Sequence, residues 1–445
     1  MHSADHTLQL SASDLVGHLN CRHLTALELD AINGRIERPT FRDPLLEILW
    51  ERGALHERQY VEYLAKEGYS VVHIEGVGVT QEAVQQTQAA MKSGAEVIVQ
   101  AALSNGRWGG RPDILRRVAT PSSLGNWSYE ILDAKLARET RGGTVLQLCL
   151  YADLLAAAQG LSPEYVYVVK PGATFELQRF RTASYEAYYR YVKRSLERSL
   201  EAGDATYQDP KEHCEICRWR MQCDLRRRHD DHLCLVAGIT KIQIGELQRH
   251  GIHTSTALAQ MPIPMQWKPD RGVRQSYERS REQARVQVTA RTAEHSIYET
   301  IPPEAGVGLA RLPEPSPGDI FFDLEGDPFV GEGGLEFLFG YLFVSEHGEQ
   351  SHVAEWAFNR NDERNAFERF VDFTMRRWSQ HPTMHVYHYA SYEPGALKRL
   401  MGRYATREDE VDRMLRGSLF VDLYTVVRQG IRASVESYSI KNLEI

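Results

Sequence analysis

Apolar residues recur along this chain with two different periods, which predict helices interleaved with short strands. Spacings of three and four residues are typical of a helix packed on one side, whereas short apolar runs between turn residues favour strands. The strand runs are rich in Val, Ile and Tyr. The helical spacing predicts helices over residues 11–30, 45–66, 81–92, 147–159 and 186–201, and the apolar runs predict strands over 97–101 and 165–169.

The most informative pattern is a predicted β-hairpin with turn residues at 121–126. Asp133 and Lys135 interrupt its second strand and, being two apart, project from one face. Asp113, on the neighbouring strand, can then approach Asp133. Two adjacent carboxylates repel unless a cation lies between them, and oxygen ligands suit Mg²⁺ or Mn²⁺. Taken alone, an Asp-x-Lys is more often a solvated surface pair.

The segments that flank the hairpin favour a site over a surface pair. Gln147 and Tyr151 are four residues apart and share one face of a predicted helix. His56 lies on an earlier predicted helix, from which it can reach a metal bound by Asp113 and Asp133.

The second half of the chain predicts a linker and a further domain. Two short helices around a glycine turn are expected between 238 and 261, and Pro-rich residues 301–318 form a linker. A buried strand from Ile320 presents Asp323 and Glu325 on one face. We therefore predict three parts: a first domain over 1–235, a small helical segment with linker over 236–318, and a last domain over 319–445.

Length, charge and hydropathy narrow the class of protein. A chain of 445 residues has room for two or three domains. The formal charge of −8 offers nucleic acid no overall attraction, so binding would need local basic patches. No apolar run is long enough for a membrane span, and the N-terminus lacks a signal peptide, which predicts a cytoplasmic protein. Candidate basic patches are Arg107, Arg111, Arg116 and Arg117, and residues 226–228.

A group of cysteines predicts a soft-metal site. Cys214, Cys217 and Cys223 have the spacing C-x2-C-x5-C, which is too dense for core residues and, in a cytoplasmic protein, unsuited to disulfides. There are two candidate positions for the fourth ligand of this site. A local residue would complete a zinc site, whereas Cys21 would complete the four-cysteine set of a [4Fe–4S] cluster. The local candidates for zinc are Cys234, His229 and His232.

The motifs Pro112-Asp113, Asp133-Ala-Lys135 and Gln147-x-x-x-Tyr151, preceded by His56, resemble the PD-(D/E)xK nucleases of the RecB type. The resemblance implies a restriction-endonuclease-like α/β core with helices around a short mixed sheet. It implies metal ligation by His56, Asp113 and Asp133, catalysis by Lys135, and support from Gln147 and Tyr151.

Several nucleases of this type carry an iron–sulfur cluster with one cysteine before the nuclease motifs and three after them. Cys21, Cys214, Cys217 and Cys223 fit that layout, and the resemblance favours the cluster over zinc.

The last domain resembles the ribonuclease H-like DEDD exonucleases, specifically a YprB-like domain. Asp323-x-Glu325 matches the first motif and the segment from His388 to Glu393 the second, which implies metal binding by Asp323, Glu325 and Glu393. Glu393 replaces the usual Asp, and Tyr389 replaces Asn. The final acidic motif does not occur before Ile445, so we expect this α/β domain to be truncated and its site incomplete.

The order of these parts is similar to RecB-family nucleases that continue into a superfamily I helicase. No phosphate-binding G-x-x-x-x-G-K-[ST] loop occurs here, so these residues contain no helicase motor. We expect the chain to be either truncated or naturally short. A helicase partner is expected, in cis or in trans. The sequence predicts a metal-dependent DNA nuclease with an iron–sulfur cluster, acting in repair, recombination or defence. The alternatives are a non-catalytic nucleic-acid-binding module and a nuclease acting on RNA.

Overall fold

The computed structural model describes residues 1–4, 7–40, 43–137, 139–172, 174–203, 206–331 and 333–444. The chain forms two compact units, residues 1–226 and 227–445. The predicted division at 235 and 318 stays a prediction.

The first unit mixes helices with short strands. Its strands are β1 (His2–Ala4), β2 (Thr7–Gln9), β3 (Val71–His73), β4 (Val97–Val99), β5 (Leu103–Ser104), β6 (Gly109–Gly110), β7 (Ile114–Val118), β8 (Ser128–Ala134), β9 (Tyr165–Val169) and β10 (Leu177–Arg181). Its helices are α1 (Ala12–Asn20), α2 (Arg22–Ile32), α3 (Pro44–Lys66), α4 (Gln81–Lys92), α5 (Gly142–Gln159), α6 (Glu186–Ala202) and α7 (Arg220–His229), which crosses into the second unit.

The main sheet of the first unit has the strand order β10-β9-β8-β7-β4-β3. The pairs β3–β4 and β8–β9 are parallel, and the other neighbours are antiparallel. The predicted hairpin is confirmed, since β7 and β8 pair with Ile114 opposite Leu132. The sheet is therefore mixed, as predicted.

Helices cover both faces of this sheet. Alternate side chains of a strand point to opposite faces, so Ile131 packs in one core with Leu148 of α5, and Leu132 packs in another with Tyr60 and Leu64 of α3. A strand buried on both faces reads as a continuous apolar run until a polar residue interrupts it. On β8 the run is interrupted by Glu130, which is half-buried, and by Asp133, which is fully buried.

The prediction of one helix over 11–30 is wrong, because the segment forms α1 and α2. Ser11 begins α1 with a capping box to Asp14. Cys21 separates the two helices with an extended backbone (φ −155°, ψ 109°). Neither Gly nor Pro marks this break in the sequence, which explains why the spacing of apolar residues did not reveal it.

The second unit contains a helical segment followed by a second sheet. Its helices are α8 (Lys241–Arg249), α9 (Ser255–Ala259), α10 (Arg274–Ala293), α11 (Arg360–Gln380), α12 (Tyr392–Tyr404), α13 (Glu408–Arg416), α14 (Leu423–Gly430) and α15 (Ile440–Leu443). Its strands are β11 (Tyr298–Thr300), β12 (Ile320–Asp327), β13 (Leu335–Val344), β14 (Gln350–Trp356), β15 (Val386–His388), β16 (Phe420–Asp422) and β17 (Ile431–Ala433).

The second sheet has the order β14-β13-β12-β15-β16 and is also mixed. β12 is antiparallel to β13 and parallel to β15. One face of β12 packs Phe322 and Leu324 into a core with Phe370 of α11 and Leu397 of α12. The alternate residues of β12 are exposed, and Asp323 and Glu325 are among them. Of the helices in the described residues, none is both long and apolar enough to cross a membrane.

Candidate active site

The hairpin brings Asp113 and Asp133 together at one end of the first sheet. Continuing the register of Ile114 and Leu132 by one residue sets the two aspartates opposite each other. Directly opposed residues of antiparallel strands have Cβ atoms about 4.5–5.5 Å apart. Oδ2 of Asp113 also accepts a hydrogen bond from the backbone N–H of Ala134, at 2.8 Å. The predicted pairing of the two carboxylates is present.

The surroundings of this pair disfavour two negative charges. Burial, and then the charge of Asp133, hold the pKa of Asp113 well above its usual range. Asp133 is fully buried, and within the described residues its Oδ1 has no hydrogen-bond partner. An unpartnered buried carboxylate oxygen is costly unless a cation or water satisfies it. The donor set therefore fits a hard divalent cation.

Lys135 lies beside the two aspartates, directly after the last residue of β8. Its Nζ forms an ion pair with Oδ2 of Asp133. Burial acts to lower the pKa of Lys135, but Asp133 and Asp113 outweigh it and the pKa is raised. Lys135 therefore supplies a fixed positive charge next to the carboxylates.

Two residues that the sequence analysis did not select complete this polar group. Nε2 of Gln100 donates to Oε1 of Glu57 at 2.6 Å and to Oδ1 of Asp113 at 3.4 Å. Glu57 follows His56 on α3, and its charge contributes to the raised pKa of Asp113. In the sequence, the signal that points to Glu57 is its position next to His56. The signal that points to Gln100 is only its position at the end of a strand.

His56 lies near the same end of the sheet but points its Nε2 at a backbone carbonyl. It donates to Val169 O at 3.1 Å, and Lys135 N–H donates to that oxygen at 3.1 Å. Because Nε2 carries the proton of the neutral ring, Nδ1 is left as the base. The structure thus brings His56 close to the strand end, and its role as a metal ligand stays a prediction.

Gln147 and Tyr151 interact on α5 as their spacing predicted. Nε2 of Gln147 donates to the hydroxyl of Tyr151 at 3.0 Å. Burial, and then the charge of Asp133, raise the pKa of Tyr151. The ring of Tyr151 lies against Gly110, where an added Cβ would stand 2.5 Å from Cε1. Gly110 thereby permits the close approach of α5 to β6, which lies just before Asp113.

The four cysteines of the predicted cluster lie on two separate segments of the first unit. Cys21 joins α1 to α2, while Cys214 and Cys217 lie in or beside a 3-10 turn at Glu212–Ile216. Burial raises the pKa of Cys217, and the nearby thiols of Cys214 and Cys21 contribute to the rise. Cys223 lies on α7. The indole of Trp219 connects the segment to α2 by donating to Glu28 Oε1 at 2.8 Å.

The second unit gathers the acidic residues predicted there. Partial burial of Asp323, and then the charges of Glu393 and Glu325, raise the pKa of Asp323. Glu393 is 3% exposed, and its Oε2 lies 3.4 Å from Nδ1 of His388 without forming a hydrogen bond. Asp422 caps α14 and also accepts from Ala390 N–H at 2.9 Å.

Among the described residues, no group of three His, Cys, Asp or Glu side chains is already arranged around a metal position. This holds for both acidic groups and for the cysteines.

The arginines considered as a basic patch near the hairpin contact the protein itself. Arg111 donates to backbone carbonyls, and Arg117 binds Gly94 O and Glu96. Arg116 lies over the ring of Tyr167, 5.2 Å from its centre, and Arg107 is 3.7 Å from Glu201. Of residues 226–228, Arg228 binds Glu436 through both terminal nitrogens.

Comparison with known families adds an independent observation. Residues 20–224 match a model of the PD-(D/E)XK nuclease superfamily, and residues 320–445 match a model of the RNase H superfamily. The chain carries a PD-(D/E)XK nuclease domain followed by an RNase H-like domain. A search of curated proteins found no match.

These two domains confirm the predicted α/β fold class, with one mixed sheet in each domain. Nucleases of these superfamilies hydrolyse phosphodiester bonds. The two domains therefore indicate a hydrolase with a nucleic-acid substrate. PD-(D/E)XK nucleases usually employ divalent metals.

Proposed function

We propose that the chain is a metal-dependent DNA nuclease whose cleavage site lies in the first unit. Asp113, Asp133 and His56 would hold Mg²⁺ or Mn²⁺, and Lys135 would act in catalysis. The observation that carries this proposal is the buried Asp133, opposite Asp113, with its Oδ1 unpartnered beside a lysine. DNA is favoured over RNA by the resemblance to RecB-type nucleases.

The protein's own groups have distinct tasks in this proposal. A divalent ion at the site would polarise the phosphate and activate a water molecule. Lys135 is placed to stabilise the negative charge that develops on the phosphate, because its Nζ lies beside Asp133 at the proposed metal position. His56 can offer Nδ1, since Nε2 is occupied by Val169 O. Gln147 and Tyr151 would support the site from α5.

We further propose a structural [4Fe–4S] cluster on Cys21, Cys214, Cys217 and Cys223. The proximity of Cys217 to both Cys214 and Cys21 supports it, because it unites the early and late segments of the first unit. Thiolates are the ligands that iron–sulfur clusters and zinc prefer. A zinc site is the alternative at the same cysteines. In this proposal Cys149 is a core residue, in agreement with its burial.

The cellular role proposed is DNA repair, recombination or defence, together with a helicase. The support is the similarity in domain order to nucleases that continue into a helicase. For the second unit we propose a weaker or absent catalytic role, with Asp323, Glu325 and Glu393 as its metal ligands.

The test is cleavage of end-labelled substrates by protein purified without oxygen. Single-stranded DNA, double-stranded DNA and RNA are each incubated with Mg²⁺, Mn²⁺ or EDTA. We expect metal-dependent cleavage of DNA by the wild type and none by Asp133→Ala. Binding of DNA without cleavage under every condition would favour the non-catalytic module, and cleavage of RNA alone would change the assigned substrate.

A further inference from the structure

Gln100 has a backbone conformation that few side chains adopt. It follows β4 directly and has φ 54°, in the left-handed region. For a residue other than glycine this conformation costs about 1–3 kcal/mol, and such residues concentrate at functional sites. Gln100 therefore requires strong contacts to hold it.

The main chain of Gln100 is bound through both of its polar groups. Its N–H donates to Asp113 O at 2.8 Å. Its carbonyl accepts from Nε and Nη2 of Arg111, at 3.1 and 2.8 Å. Arg111 also donates to three backbone carbonyls in the segment 74–78. These bonds connect the strained residue to the loop that carries Asp113.

The side chain of Gln100 lies between two carboxylates. Its Nε2 is 2.6 Å from Oε1 of Glu57 and 3.4 Å from Oδ1 of Asp113. The other oxygen of Asp113 is held by Ala134 N–H at 2.8 Å. Both oxygens of Asp113 therefore have a fixed donor, one from β8 and one from Gln100.

We infer that Gln100 is a positioning residue whose amide holds Glu57 and Asp113 together for binding of the divalent metal. The inference rests on the proposed metal site of the first unit. It adds to that site a residue that acts through Glu57 and Asp113.

An amide suits this position better than a charged donor would. Lysine or arginine would bring two like-charged carboxylates together as well, but it would also cancel the negative charge that attracts a cation. The neutral amide orients the oxygens and leaves the charge in place. Donors of this kind behind metal ligands typically contribute about 10–100-fold to metal affinity.

The experiment measures binding of Mn²⁺ by its electron paramagnetic resonance signal, with no nucleic acid present. Gln100→Met keeps the length of the side chain and removes the donor. Gln100→Gly also removes the donor but accepts a positive φ without strain, so it tests the same point should the methionine variant not fold. Gln88→Met, on the exposed side of α4, is the matched control.

We expect the Kd for Mn²⁺ to rise about tenfold in both Gln100 variants and to be unchanged in the control. A folded Gln100 variant that binds Mn²⁺ as tightly as the wild type would overturn the inference. Asp133→Ala separates this failure from that of the proposed function. If Asp133→Ala binds one Mn²⁺ fewer than the wild type while the Gln100 variants bind normally, only the role of Gln100 is wrong; if Asp133→Ala binds as many Mn²⁺ ions as the wild type, the metal site itself is wrong.

Discussion

Asp113 and Asp133 meet because the register of β7 and β8 sets them opposite each other, and Asp113 then binds the backbone N–H of Ala134, next to Asp133. Two carboxylates held this close to each other in a buried position repel in the absence of a cation. Asp133 lies within the paired strand β8, while Asp113 lies directly before β7 and is held by its bond to Ala134. The repulsion between the two carboxylates destabilises the fold, and a bound metal ion would offset this destabilisation.

The first prediction concerns this pair. Asp133→Asn should reduce DNA cleavage about a thousandfold, because several kcal/mol of transition-state stabilisation by the metal is lost. The wild type should also gain thermal stability with Mn²⁺, as any ligand of the folded state stabilises it, whereas the variant should gain less because it lacks the site of the first unit. Cleavage of labelled DNA and thermal melting with and without Mn²⁺ measure the two effects.

Asp209→Ala is the control for the first prediction, since Asp209 is an exposed acid of the same unit. It should cleave DNA and respond to Mn²⁺ as the wild type does. Undiminished cleavage by Asp133→Asn would exclude the first unit as the source of activity.

The second prediction separates catalysis from metal binding. Lys135→Ala should lower kcat by about 10²–10³ while Mn²⁺ binds at least as tightly, because removing a cation beside Asp133 leaves more negative charge for the metal. Single-turnover cleavage and Mn²⁺ titration give the two values. Lys92→Ala, on the exposed end of α4, should change neither. A large loss of Mn²⁺ affinity in Lys135→Ala would instead make Lys135 a structural support.

Periodicity in the sequence could predict the hairpin and the shared face of Asp133 and Lys135, because strand alternation is a local property. It could not predict Gln100 or Glu57 as partners of Asp113. The side chain of Gln100 is positioned by its positive φ and by the hydrogen bond from Arg111 to its carbonyl. Glu57 is brought to the site because α3 packs on the sheet. The break at Cys21 likewise has no Gly or Pro to mark it in the sequence. The residues around Asp113 thus depend on contacts between segments that are distant in the sequence, which local periodicity does not predict.

The third prediction tests the contact between Gly110 and Tyr151. Gly110→Ala should destabilise the protein by about 1–3 kcal/mol and reduce cleavage, because the new methyl group would displace the Tyr151 ring. Gly142→Ala is the control, since its added Cβ meets open space at the start of α5. Chemical denaturation gives the free energy of unfolding of each variant. A fully stable and active Gly110→Ala protein would show that α5 can withdraw without affecting the site.

The fourth prediction concerns the second unit. Asp323→Ala should leave total cleavage nearly unchanged, because the proposed site lies in the first unit and contains Asp113, Asp133 and Lys135. The measurement compares initial rates on single- and double-stranded DNA for the wild type, for Asp323→Ala and for the exposed control Asp409→Ala. A large loss in Asp323→Ala alone, with folding and DNA binding preserved, would assign cleavage to the RNase H-like domain.

The last prediction concerns the cysteines. Protein purified without oxygen should be brown and contain iron and sulfide, and Cys21→Ser should lose both the colour and thermal stability. The loss of stability follows from chain entropy, since a cluster joining Cys21 to Cys214 and Cys217 closes a long loop and thereby restricts the unfolded chain. Cys234→Ser should keep the colour. Stoichiometric zinc that requires Cys234 but not Cys21 would contradict the cluster assignment, while leaving the nuclease site intact because that site uses other residues.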